Sequence, residues 1–165
     1  MRHILLLLLL GIMFSCGKSE TNPSPTPPLS PNAPKDQPVD ATGESQLEAI
    51  EAAVAPYIAQ AKKTYPDAKK RYLTGLPEGH GFYAVTKLRD DQGTEEQVFI
   101  AVTKISDGKI SGRVASAIRA VKGYKQGDAY EFPESDLIDW LITRPDGTEE
   151  GNVVGKFLDE WQKTH

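Results

Sequence analysis

The sequence predicts an α+β domain: an N-terminal helix, a curved antiparallel meander whose rolled form is a small open barrel, and a C-terminal helix. Three observations predict it. Leu47, Ile50, Val54, Ile58 and Ala61 recur at three and four residues, the period of one helix face. From Gly81 the pattern changes to short runs rich in Val, Ile, Phe, Tyr and Thr, separated by Gly- and Asp-containing turns, as strands are. Val153, Val154, Phe157, Leu158 and Trp161 then return to helical spacing. Helices at the two ends of a continuous run of short strands make an α+β layer arrangement.

Taken in order, the first helix starts where Ser45 stands three residues before Glu48, the spacing of a capping box. Pro56 interrupts its pattern, which predicts a kink or two short helices. Lys62, Lys63 and Lys69 to Arg71 surround Pro66 and read as solvated turns. Phe82 to Arg89 and Gln97 to Ile105 read as strands joined through Asp90-Asp91-Gln92-Gly93. Val98 to Val102 is apolar throughout, the mark of a strand covered on both faces. Asp107-Gly108 turns the chain into Ile110, Gly112 and Val114, which alternate with Lys109, Ser111 and Arg113. Ala115 to Val121 reads as a short helix or an irregular crossing. Gly127-Asp128 leads into a strand at Ala129 to Phe132, and Leu137 to Thr143 gives another before the Pro145-Asp146-Gly147 turn. The closing helix is expected to pack on the sheet.

The N-terminal third carries an address. Arg2 and His3 precede an apolar run from Ile4 to about Phe14, the layout of a secretory signal. The run is shorter than the ~20 residues a spanning helix needs. Met13-Phe14-Ser15-Cys16 resembles the lipobox of bacterial lipoproteins, in which the cysteine becomes the lipidated first residue. Cys16 is the single cysteine of the chain, so an internal disulfide is impossible. The expected organisation is a signal peptide over 1–15, a lipidated Cys16 with a proline-rich disordered tether over 16–43, and one α+β domain over 44–165. Pro23, Pro25, Pro27, Pro28, Pro31, Pro34 and Pro38 suit an extended spacer. A proline-rich recognition segment is the alternative, without an aromatic or basic flank to support it. Similarity to Gram-negative lipoproteins makes Gly17 after the cysteine a pointer to the outer membrane, facing the periplasm.

Charge is unevenly placed. The net charge is −4, so no general attraction to nucleic acid is expected. Lys109, Arg113, Arg119, Lys122 and Lys125 lie in a basic segment, whereas Asp128 to Glu160 is strongly acidic. The two halves either pair with each other or leave a basic face for an acidic partner.

Gly108-Lys109-Ile110-Ser111-Gly112, Gly127-Asp128, Leu137-Ile138-Asp139-Trp140, Gly147 and Gly151 carry a resemblance. With them the span from about Ala61 to Trp161 resembles a bacterial domain of unknown function, family 2314. The resemblance implies a fold and a bacterial origin and brings no activity. Where that family commonly has Glu-His followed by Trp on the second strand, this chain has Glu96-Gln97-Val98-Phe99, so a role resting on that histidine does not transfer.

Chemistry is sparse. His3, His80 and His165 are the only histidines, too few and too scattered for a zinc set. The Asp90 and Asp146 acidic loops lack the ligand order of an EF-hand. Ser111, Ser116 and Ser135 have no general base beyond His80, and no nucleophile elbow occurs. No catalytic residue, cofactor or metal is expected. Trp140 reads as a core anchor, with an aromatic contact surface shared with Tyr124 and Tyr130 as the alternative. Asp139 is expected to cap a turn or accept from nearby backbone donors. The whole suggests a non-enzymatic binding module tethered in the envelope. Its expected partners are the membrane through Cys16 and a cell-wall polymer or envelope protein. An enzyme acting on envelope polymer is the alternative.

Overall fold

The computed structural model describes residues 32–34 and 43–164. The signal segment, Cys16 and most of the tether lie outside the described residues, so the expectations for them are not addressed by the fold. Helix α1 spans Glu44–Thr74, and strands β1 Gly81–Arg89, β2 Glu95–Ser106, β3 Lys109–Val114 and β4 Ala129–Pro133 follow. A 3-10 turn at Glu134–Asp136 leads to β5 Asp139–Thr143, β6 Glu149–Gly151 and helix α2 Val153–Gln162. The six strands form one antiparallel sheet in the order β4-β3-β2-β1-β5-β6.

The α+β class and both helices stand as predicted, and the sheet is open rather than a barrel. Closure would require β4 to meet β6. The three residues of β6 pair only with Leu141 to Thr143 of β5 before the chain enters α2. The meander also ends at β4, after which the chain crosses to the far side of β1 and lays β5 there.

Local chemistry sets the hairpins. Asp90 Oδ1 accepts from the amides of Gln92 and Thr94, both at 2.9 Å, and Gly93 has φ +81°. Asp107 and Gly108 have φ 55° and 72°, the paired left-handed residues of a two-residue hairpin turn whose twist suits the strands. At the β5–β6 turn, Asp146 Oδ1 accepts from the Thr148 amide at 2.9 Å.

Helix α1 corrects two sequence readings, the pair of short helices and the turns around Pro66. It runs unbroken for 31 residues with Pro56 and Pro66 inside it, although each proline removes an intrahelical donor. Packing offsets that loss: Ala61, Tyr65 and Ala68 are buried against the sheet. Lys62, Lys63 and Lys69 to Arg71 are therefore helical, not in turns. The helix begins at Gly43 with no side-chain cap, so the Ser45–Glu48 capping box does not form.

The sheet has two apolar faces. On the helix face, Phe82, Ala84, Val98, Ile100, Trp140 and Ile142 pack beneath α1. On the back face, Tyr83, Val85, Ala115 and Leu141 form a second buried cluster. Helix α2 enters the core through Val153 and Val154. It then stacks on α1, with the Tyr57 and Phe157 rings 4.2 Å apart at 20°. It thus forms a helix–helix layer more than the expected direct cover for the sheet.

Candidate functional site

The Asp139-Trp140 step joins three elements. Trp140 is 5% exposed, and its Nε1 donates to Ala61 O and Thr64 Oγ1 of α1, each at 3.1 Å. Its ring lies parallel to Phe82 at 6.5 Å, and the Arg71 guanidinium sits 5.9 Å from its centroid. Arg71 is held there by a two-point bond to Glu150 at 2.7 and 2.9 Å. Trp140 is thus a core anchor; burial removes it from the contact surface offered as the alternative.

Asp139 points the other way along the strand and is 1% exposed. Its carboxylate accepts from the Trp140 amide and from the Val154 amide, both at 2.7 Å. Val154 lies in the first turn of α2, where amides lack intrahelical partners. Asn152 makes no side-chain cap there, so Asp139 caps α2 from a neighbouring strand. Burial pushes its carboxyl up to about 6, against the two amides and Lys156, which favour the charged form; Glu149 adds to the rise.

The basic segment is divided. Ile110 and Val114 enter the helix-face core, so the alternating Lys109, Ser111 and Arg113 project to the back face. The Lys109 ammonium meets Glu131 at 2.7 Å, and Ser111 Oγ donates to the same carboxylate at 2.9 Å. The bonds from Lys109 and Ser111 hold Glu131 below its usual range. Arg113 donates to Gly127 O at 3.3 Å.

Beyond Val114 the chain folds over the helix face, where Ile118, Val121 and Tyr124 pack on the main core. This connection is irregular, as one of the two sequence readings had it. Arg119, Lys122 and Lys125 are exposed on it. The five cations therefore do not share one face. Among the described residues, no carboxylate lies within ion-pair distance of Arg119, Lys122 or Lys125. The acidic half pairs mostly elsewhere: Glu134 with Lys69 and Glu150 with Arg71, both on α1.

Glu96 holds this connection in place. Its carboxylate accepts from the amides of Arg119, Ala120 and Val121 at 2.8 to 3.2 Å. Asp90 Oδ2 accepts from the Lys122 amide at 3.1 Å. Sequence reasoning missed this role, because three backbone amides carry no residue signature. Tyr124 and Tyr130 are half-buried at the same end, edge to face with centroids 6.0 Å apart. Tyr124 Oη donates to Arg89 O at 3.4 Å.

The hydroxyls singled out for chemistry have structural bonds. Ser111 donates to Glu131, Ser116 Oγ accepts from the Phe99 amide, and Ser135 donates to Asp136. His80 lies half-buried in a loop, its Nδ1 3.2 Å from Glu78 O. Among the described residues no group of three or more His, Cys, Asp or Glu is placed to hold a metal ion, and no helix is long and apolar enough to cross a membrane.

An open antiparallel sheet with α1 on one face, a pinned basic connection beside it and a strand-capped α2 defines a small α+β domain. Residues 48–163 match the family described as an uncharacterized protein conserved in bacteria, DUF2314, and the chain belongs to it. No curated protein and no solved structure matches the chain.

Proposed function

We propose that this protein is a non-enzymatic interaction module of the bacterial envelope, lipid-anchored through Cys16 at the outer membrane. Its β3–β4 connection would bind an acidic cell-wall polymer. The observation that carries this reading is the state of Arg119, Lys122 and Lys125. Their side chains stand exposed and, among the described residues, form no ion pair, on a segment whose backbone is fixed by Glu96 and Asp90. A fixed backbone loses less freedom on binding, so cations on it contribute more of their interaction energy to affinity. Lys109 is a weaker contributor, because Glu131 already neutralises it. The structural bonds of Ser111, Ser116 and Ser135 favour binding over nucleophilic chemistry.

The test is co-sedimentation of the Cys16→Ser chain with purified cell-wall fragments across a range of salt. Binding should weaken as salt screens the contact. Combined Arg119→Ala, Lys122→Ala and Lys125→Ala should lower affinity by about tenfold or more, equivalent to ~1.4 kcal/mol. Binding that ignores both salt and these residues overturns the reading, and binding only to an envelope protein moves the partner class.

A further inference from the structure

We propose that Asn32–Pro34 is a strap, a piece of the proline-rich region that docks on the back face of the sheet and acts as that face's own ligand. The starting point is burial that α1 does not explain. Helix α1 lies on the opposite face, where Ala61, Tyr65 and Ala68 join the main core. Yet on the back face Tyr83 is 1% exposed, Val85 2% and Leu141 0%. Ala33 packs against the cluster that these three form with Ala115. Asn32, Ala33 and Pro34 are each half-buried, although Glu44 is the first residue of α1.

The chemistry of the segment fits the surface. Pro34 restricts the residue before it to extended backbone, the conformation that lies flat on a pleated sheet. The small Ala33 side chain lets that backbone approach the sheet closely. A proline-containing segment also loses little conformational freedom on docking. Left bare, the face would be a contiguous apolar patch of the kind that recruits partners or aggregates. Carrying the occupant on the same chain gives it a high effective concentration. The back face is therefore a shallow receptor for an extended segment of small residues and proline, and this chain fills it itself. If Cys16 carries lipid, the free spacer ends at Asn32 instead of Gly43. At ~3 Å per residue its reach is roughly 50 Å in place of roughly 80 Å. That corollary rests on the envelope anchor, whereas the strap does not.

Two measurements on the full-length chain carrying Cys16→Ser test it without reference to lipidation. In NMR spectra of the parent, the Ala33 methyl should show NOEs to side-chain protons of Tyr83, Val85, Ala115 or Leu141. Their absence overturns the strap whatever any variant does. The second is tyrosine nitration read residue by residue by mass spectrometry. Ala33→Asp puts a carboxylate against an apolar face, and it should raise nitration of Tyr83 about tenfold or more, a destabilisation of the docked state by ~1.4 kcal/mol. Tyr65, on the buried side of α1, should stay protected. An unchanged Tyr83 refutes the proposal. Should both tyrosines react, the domain has unfolded, and Ala33→Gly replaces the variant, with a rise at Tyr83 alone required.

Discussion

At the scale of single residues, Asp139 joins strand to helix at an energetic cost that depends on pH. Its carboxyl lies at about 6 in the folded protein against an ordinary 3.8. The native state therefore holds the proton more tightly than the unfolded chain does. For this group, stability is greatest below about pH 4, falls as pH rises toward about 6, and is level above that. The fall is roughly 3 kcal/mol. Thermal unfolding of the parent and of Asp139→Asn should show it: between pH 4.5 and 7.5 the parent should lose more stability than the variant. Parallel pH curves would refute the assignment. Comparing the two isolates Asp139 from Glu95, Glu131 and Glu150, whose carboxyls are held low by basic partners and so act in the opposite direction. The sequence showed Asp139 as an acceptor of backbone donors. That the second donor is the Val154 amide, fifteen residues along the chain, was not readable from it.

At the scale of elements, the β3–β4 connection shows how irregular chain is kept in one conformation. Its core contacts, Ile118, Val121 and Tyr124, are few, and the Glu96 carboxylate adds to them by accepting three consecutive amides. A bond to a charged acceptor contributes ~1.5–3 kcal/mol, and an orphaned donor carries its own cost. Glu96→Ala should therefore speed amide exchange at residues 119–121 while β1 and β5 keep their protection. Exchange unchanged at those amides would show that the apolar contacts alone hold the segment. Helix α1 teaches the converse. Pro56 predicts a kink or two short helices, yet Ala61, Tyr65 and Ala68 lie on one buried face of a single helix. Propensity is a local quantity, and burial against a preformed sheet outweighs it.

At the scale of the whole molecule, α1 packs on one face of the sheet with α2 against it, and Ala33 lies on the sheet's other side. The anchor proposal belongs to this scale. Cys16→Ser should move the protein from the membrane fraction to the soluble fraction of the envelope, followed by immunoblotting. Retention in the membrane would end the lipid-anchor reading. The sequence by itself determined the α+β class, the two terminal helices, the hairpin turns and the core place of Trp140. Each follows from periodicity, turn chemistry or the balance of apolar and polar residues within a short window. Only the tertiary structure decided that the sheet stays open, that α1 survives two prolines, and that the basic segment divides between two faces. It also decided that Ala33 packs against the back-face cluster. Those outcomes depend on contacts between residues far apart in the chain, where the energy of burial and of paired polar groups overrides what neighbouring residues prefer.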